Sequence, residues 1–477
     1  MLHRRVLRIL NIVISICLFG LFVVIMRGPS TDSILSETPS FPALPDLNIR
    51  SSKELEADLM NDSLTDYGSE QDISVWSFHS PSGNVTISGE EIVRSVDFLN
   101  ENFELLNLAK FGPIEEVKIV IVVQVHNRPN YLSYLIEALR NAKGIEDTLI
   151  VFSHDINVTP INDMIRNITF ARVLQIYYPF NMQIFPHVFP GQDPNDCAEK
   201  MSKNAAMEAK CNNAEHPDKY GNYRVAKITQ IKHHWWWKMN YVFDGVFDRY
   251  GLTDAWVLLL EEDHYVVPDA LYVLNNIIQN RATYCEKCEI ISLGFYLKTF
   301  SSYGATIAKL GAHPWYSSKH NMGMAFRRES WIKVKNCSEL FCKFDDYNWD
   351  WSLLQVAVRC LPQRFRVIFT KSPRVIHIGD CGVHTHRCAH DTYKATRVML
   401  EKHANLLFPS KLTVTDVSHR SPKPSKENGG WGDVRDYALC RSNTYPLNKT
   451  MRLIPELRDL MSSSIHIAPQ TSRKDGL

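Results

Sequence analysis

Val117–Val125, VKIVIVVQV, is an almost unbroken β-branched run. A strand with one wet face would alternate; a continuous run of this kind marks a strand buried on both faces. The next segment agrees. Pro129 suits the first turn of a helix, Leu132, Leu135, Ile136 and Leu139 recur at helical spacing, and Gly144 suits the stop. Thr148–Phe152 and Val173–Tyr178 read as further strands. This alternation predicts right-handed crossovers, a mostly parallel sheet and an α/β fold class. Ligands of such sheets bind beyond the carboxyl ends of the strands, where His126, Asn127, Arg128 and Asp155 fall. Neither GxGxxG nor a P-loop follows the first strand, which counts against dinucleotide binding and NTP hydrolysis.

Ala255–Asp263, AWVLLLEED, adds a second constraint. An apolar strand ends in three consecutive carboxylates, Glu261, Glu262 and Asp263, followed by His264. Like charges at this spacing raise one another's pKa, and burying them without a cation is costly. At the end of a central strand the natural resolution is a divalent cation and its diphosphate ligand, and hard oxygen donors suit Mg²⁺ or Mn²⁺. The plainer reading is a solvated acidic turn.

The folded body is preceded by different sequence. Ile9–Met26 is uncharged and follows Arg4, Arg5 and Arg8. At ~1.5 Å per residue it spans roughly 27 Å, close to the ~30 Å hydrocarbon core of a bilayer. The basic side faces the cytosol, so residues 1–8 read as a cytosolic tail and 9–26 as an uncleaved signal-anchor. Residues 27–80, rich in Ser, Pro and acidic side chains, read as a lumenal stem, 81–452 as the folded body and 453–477 as a tail. Of 11 cysteines only Cys17 lies in the anchor, leaving an even set as an oxidising lumen favours. Asn61, Asn84 and Asn167 are the glycosylation candidates among the sequons. Charge is nearly balanced, 53 Lys+Arg against 52 Asp+Glu, which argues against a nucleic-acid partner. The layout is that of a single-pass type II Golgi enzyme and equally of a type II receptor; anchor or stem also offers a contact for a homo-oligomer.

A long helix is expected over Tyr223–Phe247, with Ile231, Trp235, Met239, Val242 and Val246 as its core stripe. That leaves Gln230, His233, His234 and Lys238 to line a site or face solvent; adjacent histidines point about 100° apart and cannot easily chelate one ion. Asp345, Asp346 and Asp350, in DDYNWDW, offer three carboxylates for general-base work, and spacing does not choose among them. Asp345 or Asp346 can equally cap the following helix. Trp349 and Trp351 are either core or platforms for sugar rings. His377, in VIHIGD, is either a satisfied core histidine or a metal ligand.

Eight motifs occur in order: VVQVHNRP (Val122–Pro129), FSHD (Phe152–Asp155), KHHWWWK (Lys232–Lys238), LEEDHY (Leu260–Tyr265), HNMG (His320–Gly323), DDYNWDW (Asp345–Trp351), GDCG (Gly379–Gly382) and NGGWGD (Asn428–Asp433). Together they resemble the N-acetylglucosaminyltransferase II family from about Val117 to Cys440. The resemblance implies a GT-A-like glycosyltransferase fold, with a Rossmann-like sheet flanked by helices. It also implies inverting, Mn²⁺-dependent transfer of GlcNAc from UDP-GlcNAc to O2 of the α-1,6-linked mannose of a glycoprotein N-glycan. By the same resemblance Asp263 and His377 hold the metal and Asp350 is the base. Gln124, Val125, His126, Asn127, Arg128, Asp155, Gln230, Ile231, Lys232, His233 and His234 contact the donor. The family pattern further implies disulfides Cys197–Cys211, Cys285–Cys288, Cys337–Cys360, Cys342–Cys440 and Cys381–Cys388. Phe300 departs from the family, which carries an Arg donor contact there; Lys298 is the nearby cation. Two rival readings are a related GlcNAc transferase with another acceptor and a non-catalytic lumenal glycan-binding protein on the same fold. KHHWWWK and DDYNWDW count against the first, and retention of Asp263, Asp350 and His377 against the second.

Overall fold

The computed structural model describes residues 89–296, 299–379, 391–420 and 426–447. The expected anchor, stem and C-terminal tail lie outside the described residues, as do Asn61, Asn84, Lys298, Cys381 and Cys388. Among the described residues no helix is long and apolar enough to cross a membrane.

One 11-stranded sheet organises the body. Its strands are β1 (Ile119–Val125), β2 (Leu149–His154), β3 (Arg172–Tyr177), β4 (Trp256–Glu261), β5 (His264–Val266), β6 (Ile290–Gly294), β7 (Lys309–Pro314), β8 (Met322–Arg327), β9 (Arg366–Thr370), β10 (Val375–His377) and β11 (Thr413–Val417). The spatial order is β11-β7-β9-β6-β8-β4-β1-β2-β3, with β10 bridging β6 and β5 off this path. From β4 through β1 and β2 to β3 all pairings are parallel, as the sequence predicts. The other half is mixed: β8 runs antiparallel to both β4 and β6, β7 to β9 and β10 to β5, while β6–β9, β6–β10 and β7–β11 are parallel, so the sheet is mostly parallel as expected.

The continuous apolar runs have the predicted cause. Val120 and Val122 of β1 enter one core with Trp235 and Trp236, while Ile121 and Val123 enter the opposite core with Leu132, Leu135 and Leu139. β4 repeats this, Val257 and Leu259 on one side, Leu258 and Leu260 on the other. Helix α1 (Gly89–Asn102) precedes the sheet, and α2 (Pro129–Arg140) starts at the expected proline.

Helix α3 (Ala226–Tyr241) starts three residues later than predicted and passes through a wider π-type turn, Val242–Val246, before ending at Tyr250. Its side chains are buried almost all round from Gln230 to Tyr241, whereas Ile231, assigned to the core stripe, is only half-buried. The stripe fails because a central helix has no wet side to contrast with a dry one. Trp235 stacks on Trp349 of α4 (Trp349–Arg359) with centroids 4.3 Å apart and planes 7° from parallel. Trp236 stacks on Phe341 at 4.1 Å and donates its indole N–H to Thr444 Oγ1 (3.0 Å), just after α5 (Val434–Asn443). Trp349 is thus core. Disulfides join Cys197–Cys211, Cys285–Cys288, Cys337–Cys360 and Cys342–Cys440, four of the pairs that the family pattern implies. Asn167 is exposed at the surface.

β10 is short and needs outside support. Arg374, just before it, is fully buried and donates Nε and Nη2 to the two oxygens of the equally buried Asp269 (2.9 and 3.2 Å). It also donates to the carbonyls of Ser372 (2.7 Å) and Ile307 (2.8 Å). Removing one partner of a buried pair strands the other, whereas removing both does not. R374M is therefore expected to lose about 3–5 kcal/mol in urea unfolding, and the double variant R374M/D269L to recover much of that loss.

Candidate active site

The chemistry-bearing side chains gather where β1, β2 and β4 end. Parallel pairing sets Gln124 beside Ser153 on one side and Glu261 on the other, so the residues that follow leave the sheet together. Glu262 N–H donates to Gln124 O (3.0 Å), which turns the acidic segment over the end of β1.

Each acid of the Glu261–Asp263 run meets a different counterpart. Arg128 spans two of them, donating Nε to Glu262 Oε1 (2.6 Å) and Nη1 to Asp263 Oδ2 (2.7 Å). The His126 backbone N–H donates to Glu262 Oε2 (2.8 Å). Burial pushes Glu262 above the usual carboxylate range, and Arg128 offsets part of that. Burial also works against ionised Asp263, but His377 and Arg128 outweigh it and hold that carboxyl well below its ordinary value. Burial raises Glu261, and the charge of Asp263 adds to the rise.

His377 reaches Asp263 through backbone pairing. β10 runs antiparallel to β5 with His377 opposite His264, and Ile378 N–H donates to Asp263 O (2.9 Å). The His377 Nε2 then lies 3.1 Å from Asp263 Oδ2. Burial acts to lower His377, but the adjacent carboxylate raises it above the ordinary imidazole value.

The residues fit a divalent cation. Asp263 Oδ1 is buried with no hydrogen-bond partner among the described residues, so one hard oxygen is uncommitted. Glu261, Asp263 and His264 bring ligand atoms within 4.8 Å of one another. His264 is the weaker member, because its Nδ1 lone pair already accepts the Glu261 N–H (3.1 Å), which leaves the proton of the neutral ring on Nε2. His377, with Nε2 beside Asp263 Oδ2, offers a second imidazole at this point. Gly379 makes room for them: a Cβ there would stand 2.3 Å from Asp263 Oδ2 and 3.1 Å from His377 Cε1.

A second cluster surrounds Asp155. His126 Nδ1 lies 2.8 Å from Asp155 Oδ1, and Gln230 Nε2 donates to Oδ2 (2.9 Å). His234 lies beneath, with Nδ1 3.8 Å from the same Oδ2 and Nε2 bonded to Ser153 Oγ (2.8 Å). Burial drives its pKa down to about 3, so the ring is neutral. Lys238 donates to Gln124 Oε1 (2.7 Å), and His126 and Asn127 are exposed at the rim. Val125 is a core residue and offers the cleft its backbone alone.

Two expected donor contacts point elsewhere. Lys232 is buried and donates to the carbonyls of Phe344 (3.2 Å) and Asp346 (2.9 Å). His233 is buried against Asp436 of α5, Nε2 to Oδ1 2.9 Å. The physical reason is helical rotation: five consecutive residues cover more than a full turn, so Gln230–His234 cannot all face one ligand. Phe300 packs against the apolar core. Three residues not singled out by the sequence also belong here. Asn321 bonds to Asp350 (3.1 Å), Tyr296 lies exposed with its ring 5.5 Å from His377, and Gly379 supplies the cradle. Asn321 and Gly379 do lie inside the HNMG and GDCG motifs, which was the available signal.

The family model described as N-acetylglucosaminyltransferase II (MGAT2) matches residues 93–440. The chain belongs to the N-acetylglucosaminyltransferase II family. It is 40% identical over 364 residues to the pig α-1,6-mannosyl-glycoprotein 2-β-N-acetylglucosaminyltransferase, covering 75% of this chain and 80% of that one. The human enzyme of the same name is 40% identical over 365 residues, with the same coverage. Among solved structures, S. aureus TarS 1-349 aligns over 73% of this chain and 78% of that one at 9% identity; its TM-score of 0.31 is too low to carry an argument. This N-acetylglucosaminyltransferase II family member is a glycosyltransferase of N-glycan processing, taking a nucleotide-sugar donor and a glycan acceptor.

The Gly379 cradle gives a direct test. G379A is expected to displace the Asp263 carboxylate and weaken divalent-cation binding by about 10–100-fold, the range for disturbing the support of a metal ligand, measured by calorimetric titration of the purified protein with Mg²⁺ and Mn²⁺.

Proposed function

We propose that this cleft transfers GlcNAc from UDP-GlcNAc, with inversion, in β-1,2 linkage to the α-1,6-linked mannose of N-glycans. On this reading Mn²⁺ is held by Asp263 and His377, and a GT-A-type body sits in the Golgi lumen behind a single membrane anchor at Ile9–Met26. The relatives' shared name supports the reaction, and the sequence layout supports the location.

The setting of Asp350 carries the mechanism. It is the second residue of α4, with Oδ1 accepting the Trp351 N–H (2.9 Å) and Oδ2 accepting from Asn321 Nδ2 (3.1 Å). Burial, aided by the charges of Asp346 and Glu261, pushes its pKa up to about 6. Burial, with smaller contributions from the charges of Glu261, Asp263 and Asp350, raises the Tyr296 phenol above its ordinary value. The competing carboxylates are tied to the loops around them. Asp346 accepts four bonds, from the N–H and side-chain amide of both Asn348 and Asn428. Asp345 accepts the N–H groups of Lys219 (2.6 Å) and Trp431 (3.1 Å).

In this reading Asp350 takes the acceptor hydroxyl proton as that oxygen attacks the anomeric carbon opposite UDP, a task suited to a base titrating near neutrality. Asp155 with His126 and Gln230 holds the nucleoside end, and Arg128 offers positive charge near the diphosphate. When bound, the cation supplies Lewis-acid stabilisation of the departing diphosphate.

The test is transfer from UDP-GlcNAc to a biantennary N-glycan carrying GlcNAc on the α-1,3 arm only, using the purified chain. D350N is expected to lower kcat by about 10²–10⁴-fold with UDP-GlcNAc affinity retained, and EDTA to abolish transfer until Mn²⁺ is restored. A D350N rate near wild type would move the base elsewhere; donor binding without transfer by the wild type would favour the glycan-binding rival. For the wild type, kcat should rise with pH through about 6 as Asp350 ionises, then level off. The linkage sign is opposite: a carboxyl whose folded pKa exceeds its unfolded value costs stability once ionised, so D350N should melt no lower than wild type at pH 7.

A further inference from the structure

We propose that Lys232 is a positioning residue whose buried ammonium fastens the Phe344–Asn348 turn to α3 and so holds Asp350 at the cleft. This rests on Asp350 being the base. The two carbonyls that Lys232 bonds lie within that one turn, which Phe344 O closes by also accepting the Asp346 N–H (2.8 Å). The remaining side of the ammonium faces rings, 4.1 Å from the centroid of Trp431 and 5.1 Å from that of Phe341. Trp431 is itself fixed, its indole N–H on Cys342 O (2.8 Å) and its backbone N–H on Asp345. One helical turn further along α3, Trp235 stacks on Trp349, the residue before Asp350. Positions 232 and 235 share a face of α3, so this helix grips the turn and the first residue of α4 together.

The charge environment fits the same role. Lys232 faces Asp345 and Asp346 from the turn and Asp436 from α5, with His233 beside it on α3 and Asp218 beyond Asp345. Burial works against the charged form of Lys232 and lowers its pKa to about 7, while Asp346, Asp345 and Asp436 act to keep it charged; Lys219 adds positive charge near Asp345. An apolar side chain of equal length keeps the packing but removes one partner of a buried charged cluster, which costs stability, so the role of the lysine is read from kcat and not from melting.

K232M separates the possibilities. It is expected to melt below wild type, yet to bind UDP-GlcNAc with calorimetric affinity within about two-fold and to keep its acceptor KM once folded. Its kcat should fall by about 10²-fold, the cost of a misplacement near 1 Å. K232Q, which keeps a donor for one carbonyl, should fall between the two and decides the matter by the same kcat-against-KM split if K232M does not fold. An unchanged kcat overturns the inference, as does a loss confined to UDP-GlcNAc affinity, which would make Lys232 a donor contact. D350N run alongside separates the two readings: an active D350N sinks the base assignment, whereas an inactive D350N with an unimpaired K232M sinks the positioning role alone.

Discussion

The end of β4 imposes the constraint that the rest of the structure answers. Three adjacent carboxylates leave the centre of a sheet covered on both sides, and buried like charges cannot all remain ionised without compensation. Each is met from a different direction: Glu262 by Arg128 and the His126 N–H at the end of β1, Asp263 by Arg128 and His377, Glu261 by the charge of Lys238 on α3. Three separate stretches of chain are thereby fixed around one point. The arrangement places cationic and acidic groups together where a diphosphate and its ion would sit, so the same charges organise the fold and set up the chemistry.

Helix α3 carries that organisation across to the base. It is buried almost all round from Gln230 onward and sends its polar residues to separate partners: Gln230 to Asp155, Lys232 to the turn before α4, His233 to Asp436, Lys238 to Gln124. Each bond goes to a different element. A helix of this kind resembles an axle more than a wall, since neither the nucleotide-facing side nor the base-facing side can shift without the other.

Much of this was legible in the sequence, for identifiable reasons. VKIVIVVQV announced a two-sided strand because burial on both faces removes the need for alternation, and LLLEED announced an acidic strand end. What was hidden depends on long-range placement. His377 becomes a partner of Asp263 only through the antiparallel register of β10 on β5. The proposed choice of Asp350 over Asp346 rests on the amide donors that Asn428 brings to Asp346, which no local spacing announces. The uneven fate of Gln230–His234 follows from helical rotation, but its partners do not. The reversed strand β8, which makes half the sheet mixed, is likewise a matter of tertiary pairing.

The cross-links are distributed unevenly. No cysteine lies in β1 to β4 or in α3, whereas Cys337–Cys360 and Cys342–Cys440 bracket the turn and helix that carry Asp350, the latter pair spanning 98 residues. Cys197–Cys211 closes only a short loop ahead of α3, whereas the segment around Asp350 is tied at both ends. Thiol chemistry is slower than collapse by orders of magnitude. The surroundings of Asp350 are therefore the part of the chain most exposed to the redox state of the compartment in which it folds.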